Sequence, residues 1–159
     1  MDIHSTDDAL EQSKKELNRA DHLLFVSLKY TRTVDVLKSL IERLISSMAF
    51  SNHALLLHLK DNKKLSVVPE LPRSQIEIVK KEFANDKNIF NFIDFYLLLR
   101  KLDKAEYARS SEFRRHVTMT ASVEGKKVEI TIDIITDYYN KAKEYLNYVA
   151  NIIKPPKQE

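Results

Sequence analysis

One glycine, no cysteine and no tryptophan occur in the 159 residues of this chain. Glycine serves tight turns and left-handed backbone positions, so its scarcity argues against β-sandwiches and Rossmann units. It also excludes the Walker loop, the dinucleotide fingerprint and the G-x-S-x-G elbow, each of which needs several glycines. Without cysteine there is no disulfide, thiolate metal site or thiol nucleophile. Apolar runs such as Leu23–Val26, Ala54–Leu57 and Tyr96–Leu99 fall far short of the ~20 residues that a membrane span needs. The first residues, MDIHSTDDALEQ, are acidic and polar, unlike a signal peptide. A cytoplasmic protein without membrane association is therefore expected. His53 and His58, five apart, point to different faces of a helix, and no metal or cofactor is expected.

What is present favours helix. Hydrophobic residues make up 43% and charged residues 31%, enough for a real core under a soluble surface. From Asp2 to Val68 there is neither glycine nor proline. Ser5 followed by Asp8 has the spacing of a helix-capping pair. Leu10, Leu17, Leu24 and Leu28 then share one helical stripe. Tyr30-Thr31-Arg32-Thr33 interrupts that stripe, and Val34, Leu37, Ile41, Leu44 and Met48 resume it; one bent helix and a hairpin both satisfy this pattern. A third helical piece is expected at about Ser51–Lys60, a short helix at Arg73–Ala84, and a helix at Ile89–Ser110 that begins apolar on most sides, as a buried central helix would.

The period then changes from 3.6 to 2. Val117, Met119, Ala121 and Val123 alternate with polar residues, as do Val128, Ile130 and Ile132. Between them lies Gly125, where a hairpin turn needs positive φ. A last helix, about Ile134–Ile153, ends before Pro155 and Pro156, leaving a polar tail at 154–159. The expected fold is mainly α: one domain over 1–159, a bundle of about five helices with a β-hairpin at about 117–133 before the C-terminal helix.

The candidate chemistry lies in YARSSEFRRH, Tyr107–His116. Between Arg100 and His116 six cations face three carboxylates, a surplus equal to the formal +3 of the whole chain. If one helix ran through Arg109 and His116, seven residues would put both on one face, ~10 Å apart. A neutral imidazole could then deprotonate a ribose 2′-OH while the guanidinium stabilised charge on phosphorus. Arg114 and Arg115, with Lys104 and Tyr107, would hold flanking RNA. A solvated helix-to-strand junction explains the same residues, and spacing alone favours it. Lys29, Tyr30 and Arg32 form a second polar-basic point, which capping and surface charge also explain. Tyr138 and Tyr145 fall on the last helix's apolar stripe, leaving Tyr139 and Tyr148 to face a partner.

A helical layout with Arg109, six intervening residues and His116, followed by a tyrosine-containing last helix, resembles the HEPN superfamily. That resemblance implies a metal-independent ribonuclease or an RNA-binding relative, commonly a homodimer, with Arg109 and His116 as the active-site pair. Ser110, Val117 and the intervening hairpin depart from the family pattern. The chain also resembles a small group of archaeal helical proteins through FVSLKYTRTVDV, Phe25–Val36, and EFRRHVTMTA, Glu112–Ala121, which implies no activity. The alternative is a non-catalytic scaffold that dimerises or binds a protein partner, for which the Val34–Met48 stripe is a candidate seam.

Overall fold

A computed structural model describes residues 3–156; the last three residues of the polar tail lie outside them. The described residues form five helical rods and one three-stranded antiparallel sheet. Helix α1 (Thr6–His22) passes through a π turn (Leu23–Ser27) into a final turn, α2 (Leu28–Tyr30), as one rod. Then follow α3 (Val34–Asp61), α4 (Pro72–Glu82), α5 (Lys87–Lys104), β1 (Tyr107–Ser110), β2 (Thr118–Val123), β3 (Lys126–Ile130) and α6 (Ile132–Ile153).

Capping chemistry sets the helix starts. Ser5, Thr33, Asp86 and Thr131 each accept a first-turn backbone N–H through a side-chain oxygen, satisfying donors that have no partner within the helix. Pro72 begins α4, where its missing N–H costs nothing. Thr31–Thr33 break the chain between α2 and α3, and the first rod folds back along α3 as a hairpin. Part of this seam is polar and small: the Ser13 hydroxyl, fully buried, meets the Ser47 carbonyl at 2.8 Å, the Ser47 hydroxyl at 3.0 Å and the Ser51 hydroxyl at 2.9 Å.

Helix α3 is the central element. It runs unbroken through Ser51, where a separate piece was expected, because Ser51 and Asn52 turn inward to polar partners. Val34, Leu37, Ile41, Leu44 and Met48 are all fully buried within the chain. The stripe considered as a dimer seam is thus consumed by internal packing. The α5 helix is amphipathic rather than central, with Ile89, Ile93, Tyr96 and Leu99 inward and Asn91 and Asp94 exposed. Tyrosines anchor α6: Tyr145 donates to Asn52, Tyr139 to Asp21 at 3.0 Å and Tyr148 to Asp86 at 2.6 Å. Tyr139 and Tyr148 therefore already have internal partners, contrary to the expectation that they face outward.

The hairpin is present with its two-residue turn, Glu124 and Gly125 both at positive φ, as a type I′ turn requires. It gains a third strand. The expected helix Ile89–Ser110 ends at Lys104, and Tyr107–Ser110 pairs antiparallel with β2, Arg109 opposite Met119. The cause is tertiary. Lys38 of α3 donates to the Asp103 carbonyl and sits 2.9 Å from its carboxylate, closing the C-terminal end of α5. The chain then joins the open edge of β2. Met119, Ala121 and Ile130 bury the inner face of the sheet against the helices.

Candidate functional site

Two sequence-remote basic segments meet at one corner of the molecule. The first is the elbow between α2 and α3, with Lys29, Tyr30 and Arg32; the second is the loop 111–117 between β1 and β2. The Phe113 N–H donates to the Arg32 carbonyl at 2.6 Å. That bond requires an unusual backbone, since Ser111 and Phe113 adopt φ of 54° and 65°. A bulky residue in the left-handed region carries a cost of ~1–2 kcal/mol. The conformation aims the Phe113 side chain into solvent, 74% exposed, while Tyr30 across the elbow is 78% exposed.

Around these rings stand Lys29, Arg32, Arg114 and Arg115. None has an ion-pair partner among the described residues; the ion pairs there involve other cations. The Nε of Arg32 is buried and has no hydrogen-bond acceptor, an unusual condition for a buried donor. The π turn that precedes the elbow leaves Phe25 and Val26 exposed as well. Uncompensated cations interleaved with exposed aromatic rings are a surface suited to a flexible polyanion with π faces.

Arg109 has a different role. By the strand register its side chain shares the inner face with Met119, and it reaches back to the first turn of α3. Its guanidinium lies 2.8 Å from Asp35 and 3.4 Å from Glu112, and donates to the Tyr107 hydroxyl at 3.3 Å. The hydrogen bond to Asp35 above all raises its pKa further above the ordinary arginine value. Two carboxylates thus offset this charge, and the Asp35 contact fastens β1 to α3. His116 is exposed in the loop, its carbonyl accepting from the Thr118 hydroxyl at 2.8 Å. Arg109 and His116 do not share a helix face, because neither is in a helix.

The remaining candidates divide. Arg114 and Arg115 lie in the loop and are exposed. Tyr107 is half-buried, with the Lys38 ammonium 5.9 Å and the Arg109 guanidinium 5.5 Å from its ring centre, so its faces already carry cations. Lys104 precedes β1, at the opposite end of that strand from the loop, and borders a separate groove between α4 and α5. No family model matches the chain, and no curated protein or solved structure matches it.

Sequence reading found both basic segments but not their contact, and it passed over Phe113. The signal was an aromatic flanked by Glu112 and Arg114 in a stretch with no apolar period, which leaves it no core to join. Of the other histidines, His53 and His58 have hydrogen-bond partners. His53 is 3.3 Å from the Ile3 carbonyl and His58 is 3.2 Å from the Asn62 amide. Beside His22, Asp21 is turned to Tyr139 and Arg19 to Glu16. Among the described residues no three His, Asp or Glu side chains gather as a metal site, and no helix is long and apolar enough to cross a membrane.

Proposed function

We propose that the chain is an RNA-directed binding module that takes single-stranded RNA at the corner made by the Lys29–Thr33 elbow and the 111–117 loop. The observation that carries this reading is the Phe113–Arg32 backbone hydrogen bond, which joins two aromatic and cationic segments into one surface. Phe113 and Tyr30 offer rings on which bases stack, and Arg114, Arg115, Lys29 and Arg32 meet phosphates. The engagement of Arg109 by Asp35 and Glu112 favours binding over the HEPN-like cleavage chemistry, which needs that guanidinium at the scissile phosphate.

Fluorescence anisotropy with a labelled single-stranded RNA of about ten nucleotides tests the proposal. Replacing Arg114 and Arg115 together by alanine should flatten the slope of log K against log salt by ~1.4, from ~0.7 per phosphate contact on a single strand. Phe113→Ala should weaken binding about tenfold, the low end of base stacking on an aromatic. Absence of saturable binding at low salt refutes the reading. Incubation of the same RNA without metal separates the catalytic version: cleavage that disappears in His116→Ala would restore it.

A further inference from the structure

The groove between α4 and α5 has a composition unlike the RNA corner. Leu71, Ile76 and Leu97 floor a volume of about 570 Å³, and Arg73, Lys80, Arg100, Lys101 and Lys104 stand around it with Glu77 as the one lining carboxylate. Leu71 is 68% exposed. Three of the cations have carboxylates nearby: Arg73 lies 3.8 Å from Glu77, Lys80 3.9 Å from Asp94 and Lys101 2.7 Å from Glu124. Arg100 and Lys104 have no ion-pair partner among the described residues. Arg100 instead places its guanidinium carbon 5.8 Å from the Tyr96 ring centre. These two cations are four residues apart on α5, one turn, so they line a single wall of the groove.

We infer that this groove docks a short acidic amphipathic helix from a protein partner, with its apolar face on Leu71, Ile76 and Leu97 and its carboxylates against Arg100 and Lys104. The walls argue for a helix. Both are helices, presenting residues at i, i+3 or i+4, and i+7: Arg73, Ile76 and Lys80 on α4, Leu97, Arg100 and Lys104 on α5. Such ridges accept those of a third helix, and the surface offers no open sheet edge for a peptide to join by strand addition. Charge selects the partner's sign, because the two uncompensated cations flank an apolar floor and a basic helix would add to them. The groove is about two helical turns long, so the occupant is a short segment rather than a whole domain face. The inference does not depend on RNA binding, since the groove shares no residue with the elbow or the loop.

The test is a fluorescent synthetic helix with leucines at i, i+4 and i+7 and glutamates along one flank, titrated by anisotropy into the full chain. A second peptide carries lysines in place of the glutamates. The acidic peptide should saturate, the basic one should not, and added salt should weaken the complex. Leu71→Glu and Lys104→Glu alter exposed side chains, so circular dichroism should be unchanged while each weakens binding about tenfold. Equal binding of both peptides, or variants that bind as tightly as the parent, overturns the inference. So does occupation of the groove by a long-chain fatty acid, or by a second copy of the chain, with no binding of the acidic peptide.

Discussion

Phe113 combines a left-handed backbone, a fully presented ring and a bond to the elbow, and each of these has a separable consequence. Glycine at this position would adopt φ of 65° without steric cost. It would also add unfolded-chain entropy worth ~0.4–1 kcal/mol against folding. Relief of the ~1–2 kcal/mol penalty of a left-handed side chain outweighs that loss. Phe113→Gly should therefore raise stability in urea denaturation by about 0.5 kcal/mol, while RNA affinity falls because the stacking ring is gone. Stability and binding would then move in opposite directions in one variant, the signature of strain kept for function. If Phe113→Gly is instead destabilised by more than about 1 kcal/mol, the ring packs on the protein and is not a platform.

At the scale of elements, α6 is held by hydroxyls as well as by apolar packing. Burial first, then Asp21, pushes the Tyr139 pKa up to about 12; burial raises Tyr145, and the hydrogen bond to Asp86 chiefly raises Tyr148. The proton is thus held more tightly in the folded chain than in the unfolded one, where a tyrosine ionises near 10. The stability Tyr139 contributes is fully present below pH 10 and is lost as pH rises through about 12. Thermal melts across that window should fall steeply for the parent and less steeply for Tyr139→Phe, which has no proton to lose. An identical pH dependence in the variant would remove Tyr139 from this account.

The same elements show where sequence is informative. Ser5, the Val34–Met48 stripe and Gly125 act through neighbours within a few residues, so spacing alone reveals their roles. The end of α5 does not follow from spacing, because neither glycine nor proline stops it; Lys38, far away in the chain, does. Once that contact ends the helix, Tyr107–Ser110 becomes a strand, and the proposed pairing of Arg109 with His116 on one helix face is lost. The basic segments of the candidate site were visible as composition. Their meeting was not, because a backbone N–H and a backbone carbonyl make the bond, and these groups are the same in every non-proline residue.

Across the whole molecule, burial falls off outward from α3. Fourteen of its 28 residues are buried, and α1, α4, α5, α6 and the sheet all pack around it. At the far limit is β1, an edge strand with three of its four residues exposed, joined to the strained loop. Regions with few buried contacts open with the least free energy, so amide exchange should be slowest in α3 and fastest in β1 and residues 111–117. The corner proposed for RNA thus belongs to the easily opened margin, and the α4–α5 groove lies on a different part of it. Single-stranded RNA should slow exchange in 111–117 and in the first turn of α3, which Asp35 ties to β1 through Arg109, and leave α4 unchanged. The acidic helical peptide should slow exchange in α4 and the second half of α5 and leave the loop unchanged. Protection of both regions by either ligand alone would mean that they open together, and the two surfaces would then be one site coupled through the sheet.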